Sequence, residues 1–282
     1  IWNGSEGRLP NVALVEKAAL MEDCGTGLFV TRCHCDDIKM CNCCTTWIYV
    51  GYIDTDSDDK FNEIMANLTN FNAVKMKVGA NYYDDIKRVA AAREALGNGP
   101  QLMVDFHYEW DVATTLRFAR AIEKYDIQWL ESPLPPYDFD GYRRLSAQSP
   151  IAIAGNETIA WAETFQRYIS SDGIHFIEID PSACGGIRES LSIAKLAYIS
   201  GRPCTLHSSS SAVLFAADLH IGASIPNCHS VEYHMFHQWF WDTAPNNWKT
   251  VKDGTISVPD APGLGVNLTM DYLKTYEKNE LG

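Results

Sequence analysis

The chain has 282 residues, 46% of them hydrophobic and 21% charged, a composition that excludes collagen-like, disordered and membrane-spanning classes. Its 36 acidic against 23 basic residues give a formal charge of −13, which repels phosphate backbones and anionic lipids, so neither nucleic acid nor a membrane is expected as partner. Apolar stretches such as Ile151–Gly155 and Ala212–Ala217 are far shorter than the roughly 18 residues of a membrane span.

Residues 1–45 read as a linker-like unit of their own. They show no initiator Met, no basic n-region and no apolar h-region, so a cytoplasmic protein without a secretory leader is expected. Six of the nine cysteines (Cys24, Cys33, Cys35, Cys41, Cys43 and Cys44) crowd this stretch. Their C-x-C and adjacent spacings depart from the knuckles of structural zinc sites, which favours a linker with reduced thiols over a metal site. Cys184, Cys204 and Cys228 sit singly in apolar contexts and read as ordinary buried thiols. Four sequons, at Asn3, Asn67, Asn156 and Asn267, occur at about the frequency chance gives and do not argue for secretion.

From Thr46 onward short apolar runs alternate with helix-period segments. The runs are Trp47–Tyr52, Ala73–Val78, Leu102–Phe106, Ile127–Glu131, Ile151–Ala154, Ile174–Asp180, Pro203–His207 and Ser230–Tyr233. Between them lie Tyr83–Leu96, Val112–Lys124, Trp161–Ser170, Ile187–Tyr198 and Ala212–Ala223. Eight strands alternating with helices predict an α/β fold, a parallel barrel of TIM type with helices outside.

The strand ends carry a second pattern. Lys77, Asp105, Glu131, Glu157, Asp180, His207 and Glu232 recur once per unit, at intervals of 23 to 28 residues. The C-terminal ends of barrel strands surround one mouth, where active sites of this architecture lie. Any one such carboxylate could be a helix N-cap and any one lysine merely solvated. Gathered together they need a cation, because unpaired buried charges cost several kcal/mol each. Asp105, Glu131 and Glu157 on consecutive strands offer hard oxygen ligands suited to Mg2+ rather than zinc.

Candidate bases flank that set. Alternation puts Lys75 and Lys77 on one face of the second strand, where the neighbouring ammonium and burial are expected to lower the pKa of Lys77. His207 faces them from the seventh strand, with Asp180 on the adjacent strand able to fix its tautomer. Such a set serves abstraction of a proton next to a carboxylate, with a metal neutralising the enolate.

Together, Lys75-x-Lys77, Asp105, Trp129-Leu-Glu-Ser-Pro133, Ala154-Gly-Asn-Glu157, Asp180 followed by Cys184-Gly-Gly186, His207 and Glu232 resemble the enolase superfamily, in its mandelate racemase branch. The resemblance covers residues 46 to 282, including Val258–Gly265, which is similar to that family's C-terminal return segment. It implies a (β/α)7β barrel over residues 46–245, a return segment over 246–282 and essential Mg2+. It further implies Lys77 and His207 as bases on opposite faces of the substrate, Lys75 at the substrate carboxylate and Glu232 near the enolate. The family's N-terminal α+β capping domain is expected to be largely missing, with Val15–Glu22 similar to the helix that joins cap to barrel.

His107 departs from the branch's racemases, which usually carry Asn there. Strand alternation places it beside Asp105, where it is either a hydrogen-bond donor near the metal or a general acid for a departing hydroxyl, as in some sugar-acid dehydratases. Ser208 is a candidate for binding the substrate carboxylate, although a serine run opening a helix more often supplies an N-cap. The reading is a Mg2+-dependent lyase that dehydrates an aldonate or aldarate to a 2-keto-3-deoxy acid. Its alternatives are a racemase, epimerase or cycloisomerase using the same enolate, and a truncated non-catalytic barrel. A small acid sugar is the expected partner, and association through outer helices makes a homo-oligomer the expected assembly.

Overall fold

The computed structural model describes residues 45–51, 68, 71–209, 211–234, 251, 254–258 and 261–266. The cysteine-rich stretch, the segment similar to a cap-joining helix, and the aromatic residues after His234 lie outside them.

Eight parallel strands form the barrel: β1 (Thr45–Gly51), β2 (Ala73–Lys77), β3 (Gln101–Asp105), β4 (Ile127–Glu131), β5 (Ile153–Gly155), β6 (Phe176–Ile179), β7 (Cys204–Leu206) and β8 (Cys228–His234). Each pairs with the next in sequence, and β1 pairs with both β2 and β8, so the ring closes without a free edge. A short strand, β9 (Thr255–Ser257), runs antiparallel to the start of β1. Outside the ring lie α1 (Tyr82–Leu96), α2 (Val112–Ile122), α3 (Phe139–Ser146), α4 (Ala162–Ser170), α5 (Pro181–Cys184), α6 (Ile187–Ile199) and α7 (Ala212–Ser224). No described helix is long and apolar enough to cross a membrane.

The helices start where capping side chains permit. The Asn81 carboxamide accepts from the backbone of Tyr83 and Asp84, Asp111 from Thr114, Asp138 from Gly141, and Ser211 from Leu214. Two elements go beyond the periodicity read from the sequence. Helix α3 is only eight residues long, contains Gly141 and follows a proline-rich turn, so it presents too few repeats for its period to stand out. Helix α5 is a single turn that starts at Pro181, the position where a missing N–H costs nothing.

Alternation along the strands divides the core in two. Val74, Met76, Leu102, Val104, Leu130, Ile153, Ile177, Ile179, Leu206 and Val231 belong to the large cluster shared with the helices. The intervening positions fill the barrel interior: Ala73, Met103, Trp129 and Ala154, with Ala152 and Phe176 against them, form a separate apolar plug. Large and small residues alternate around this plug, as a closed ring of fixed diameter requires. The three later cysteines are free thiols, Cys184 and Cys204 buried and Cys228 half-buried. Asn156 is fully buried, so its sequon is no glycan acceptor in the folded chain.

Trp129 is the largest fully buried side chain of the plug. Trp129→Ala should destabilise the fold by about 3–5 kcal/mol, read as a lower urea midpoint at unchanged denaturant slope.

Candidate active site

Strand register sets the first row of site residues side by side. Lys77 is the partner of Asp105 across β2 and β3, and Asp105 is the partner of Glu131 across β3 and β4. Above the apolar plug, the even strands contribute an ionic layer of Lys75 from β2, Glu131 from β4, Glu178 from β6 and Glu232 from β8. A layer of four side chains from alternate strands is the regular packing of a parallel barrel, here built from charge. The Lys75 ammonium donates to Glu131 Oε1 and lies 3.1 Å from Glu232 Oε1 and 3.7 Å from Glu178 Oε1.

Asp105 Oδ2 stands 3.8 Å from Lys75 Nζ and accepts from Lys77 Nζ at 2.5 Å. The two lysines therefore share one carboxylate instead of facing each other alone. Glu131 Oε2 accepts from the Trp129 indole at 3.1 Å, and Glu157 Oε2 from Ser132 Oγ at 2.6 Å. Gly155 permits the latter contact, since a Cβ there would come within 2.5 Å of Ser132 Oγ and 2.9 Å of its backbone nitrogen.

Across the mouth, His207 Nδ1 is 2.8 Å from Asp180 Oδ2 and its Nε2 is 3.7 Å from Glu232 Oε2. Asp180 also caps α5 through Oδ1, which accepts from the backbone and hydroxyl of Ser182. The cap and the histidine partner are thus one side chain, and the cap fixes the carboxylate that orients the imidazole.

The eight residues expected to converge do so: Lys75, Lys77, Asp105, Glu131 and Glu232 from within strands, and Glu157, Asp180 and His207 from one or two residues past the ends of β5, β6 and β7. Ser208 joins them through its backbone, donating N–H to Glu232 Oε2 at 3.2 Å, and is itself buried. His107 requires a correction. Strand β3 ends at Asp105, and His107 and Tyr108 turn into the left-handed region with φ of 52° and 68°, so the alternation argument does not reach them. The His107 ring is exposed, while its backbone N–H donates to Asp105 Oδ1 at 2.9 Å. Sequence reading missed Glu178, which stands two residues before Asp180 as Lys75 stands two before Lys77. Neither Glu178 oxygen has a hydrogen-bond partner among the described residues.

Charge in this interior is unbalanced. Asp105, Glu131, Glu157, Glu178, Asp180 and Glu232 are all buried, against Lys75, Lys77 and His207. Burial works against the Lys75 ammonium, but Glu131, Glu232, Glu178 and Asp105 outweigh it and hold its pKa well above the usual lysine value. His207 is likewise raised against burial, by Glu232 and Asp180. Burial pushes Glu131 well above the usual carboxylate range, with Glu178 adding to the rise. Glu178 itself is pushed by burial to about 8, with Lys75 opposing the rise. Asp105 is the exception, held low by Lys75 and Lys77 against the effect of burial.

With Lys75 and Lys77 on the oxygens of Glu131 and Asp105, no three His, Cys, Asp or Glu among the described residues close on a common ion position. The donor chemistry nevertheless fits a divalent cation. Hard oxygens on three adjacent strand ends lie amid an excess of buried negative charge, and Mg2+ takes one or two such carboxylates with water and substrate completing its octahedron.

Residues 60–272 match the model of the enolase C-terminal domain-like family. The chain belongs to that family. Among curated relatives it is 30% identical over 221 residues to the L-talarate/galactarate dehydratase of Salmonella typhimurium, spanning 78% of this chain and 53% of the relative. It is 33% identical over 230 residues to the 3,6-anhydro-alpha-L-galactonate cycloisomerase of Streptomyces coelicolor, spanning 80% of this chain and 62% of that enzyme. Of solved structures, the L-talarate dehydratase of Polaromonas sp. JS666 complexed with Mg and L-glucarate superposes with a TM-score of 0.72 at 29% identity, covering 82% of this chain and 63% of the other. The chain thus spans between about half and three-fifths of the curated relatives it matches.

Within this member of the family, Lys75 is the ammonium that three buried glutamates share. Lys75→Met should therefore destabilise the metal-free protein by about 3–5 kcal/mol, the cost of leaving buried charges uncompensated, measured by urea unfolding with chelator present.

Proposed function

We propose that this barrel is the catalytic part of a Mg2+-dependent acid-sugar dehydratase. The observation that carries the reading is the opposition of two bases around one carboxylate-rich mouth: Lys77 on β2, and His207 just past β7 with its partner Asp180 at the end of β6, the histidine three strands away round the ring. The dehydratase relative and the acid-sugar complex support the substrate class. Asp105, Glu131 and Glu157 would hold the Mg2+, which when bound supplies positive charge against the developing enolate.

The chain's own residues do the rest. Lys75, kept protonated by its carboxylates, presents an ammonium to the substrate carboxylate. Lys77 or His207, according to the configuration at C2, takes the C2 proton, and the electrons of that C–H bond pass into the enolate. Glu232, 3.7 Å from His207 Nε2, lies beside that enolate. The C3–O bond then breaks and the hydroxyl leaves as water with a proton from a general acid. The resulting enol takes up a proton at C3, gives up the proton on its C2 oxygen, and becomes the 2-keto-3-deoxy acid. His107, exposed and tied by its backbone to Asp105, is the residue we assign as that acid.

Two bases on opposite faces also suit epimerisation, and the cycloisomerase relative keeps that second reading open to the same experiments. A panel of aldonates and aldarates with detection of 2-keto acids tests the proposal, and chelation of Mg2+ should abolish turnover. Absence of any turnover in the metal-loaded protein would leave the non-catalytic barrel. In D2O, Lys77→Ala and His207→Asn should each abolish C2 proton exchange for one epimer, and not the same one. Loss of one common epimer in both variants would refute the two-faced arrangement.

The role of His107 separates elimination from epimerisation. A positioned general acid contributes about 10² to 10⁴ in rate, so His107→Asn should lower formation of the 2-keto-3-deoxy acid by that factor while C2 exchange continues. Equal loss of exchange and elimination would make His107 a support of Asp105. No loss of either would favour the epimerase.

A further inference from the structure

The chain leaves β3 by a strained route. His107 and Tyr108 are consecutive non-glycine residues with φ of 52° and 68°, conformations that cost on the order of 1–3 kcal/mol each and persist where the surroundings enforce them. The strands bearing the other two candidate ligands end the same way, with Ser132 at φ 43° after Glu131 and Asn156 at φ 76° before Glu157. Three adjacent strand ends thus hold left-handed residues beside their carboxylates.

Tyr108 joins these three ends. Its backbone N–H donates to the Ser132 carbonyl at 2.6 Å, which links the end of β3 to that of β4. Its phenol oxygen accepts from Thr158 Oγ1 at 2.9 Å, which links β3 to the residue following Glu157. An oxygen that accepts in this way keeps its own proton to donate, and the Glu157 carboxylate is in contact with the hydroxyl. Ser132 Oγ donates to Glu157 Oε2 at 2.6 Å.

We infer that Tyr108 is a positioning residue of the cation site: by bridging the ends of β3, β4 and β5 and donating to Glu157, it sets that carboxylate relative to Asp105 and Glu131. The inference rests on the reading of Asp105, Glu131 and Glu157 as the Mg2+ ligands. It goes beyond that reading by assigning the strained turn a task, since residues 107 and 108 carry the backbone that bonds to Ser132 and the phenol that bonds to Thr158.

The test is Mg2+ binding by titration calorimetry to the full chain, as wild type, Tyr108→Phe and Thr158→Val, alongside melting curves without metal. Groups that orient a ligand typically change metal affinity by about 10–100-fold, so Tyr108→Phe should raise the Mg2+ Kd by that factor while the metal-free melting temperature stays put. Thr158→Val, which leaves the ring and its proton intact, should weaken binding less. If Tyr108→Phe fails to fold, weakened Mg2+ binding by a folded Thr158→Val supports the bridge and unchanged binding overturns it. Wild-type affinity in Tyr108→Phe overturns the inference and leaves the ligand reading standing. Wild-type Mg2+ affinity combined with a raised KM for the acid sugar assigns the hydroxyl to the substrate, and equally overturns it. A wild-type chain that binds no Mg2+ sinks the ligand reading itself and the inference with it.

Discussion

The ammonium of Lys75 is the interaction on which the interior depends. It lies fully enclosed among Glu131, Glu178 and Glu232, one from each of the other even strands, with Asp105 at 3.8 Å. A closed barrel must fill its interior with side chains, and at this level it fills it with three carboxylates that would repel one another without a cation. Burial is the main reason that Glu131 and Glu178 both hold protons more tightly than ordinary carboxylates do; Glu178 adds to the rise at Glu131, and Lys75 opposes it at both. The excess of buried carboxylates over ammonium groups is the feature on which the proposed Mg2+ site rests.

A second constraint is the backbone itself. Four of the seven non-glycine residues with positive φ among the described residues, His107, Tyr108, Ser132 and Asn156, lie within three residues of a candidate ligand, and the close packing of β4 against β5 admits no Cβ at Gly155. The plug beneath, with Ala73, Met103, Trp129 and Ala154, is apolar and regular. Regular packing below supplies the stability that the mouth above gives up, and Trp129 connects the two levels by donating its indole N–H to Glu131.

The sequence disclosed the barrel because parallel strands buried on both faces read as apolar runs, and because a titratable residue per unit at their ends is not explained by strand composition. It disclosed which charges meet, since the order of strands in a ring is the order in sequence. It did not disclose where β3 stops. Period-two reasoning holds only inside a strand, so His107 was assigned a face that its left-handed backbone does not give it. Glu178 was hidden for a different reason: it lies inside a run of apolar residues, two residues before Asp180, where a carboxylate looks like an interruption of the strand rather than part of a charged tier. The pairing of β1 with β8 leaves no local signal, because closure depends on the tilt and stagger of all eight strands.

These two levels of legibility bear on how far sequence can carry function in this family. The residues assigned here as bases and ligands stand at strand ends or within two residues of them, and a dehydratase and a cycloisomerase match this chain at nearly the same identity, 30% and 33%. What distinguishes elimination from simple enolisation is the fate of the C3 oxygen, and the group assigned to it here, His107, stands on a turn beyond the strand. Turns are free to change without disturbing the ring. On the proposed reading, the residues assigned to enolate formation gather at the strand ends, while the group assigned to the C3 oxygen sits on a strained turn that the periodicity of the sequence cannot reach.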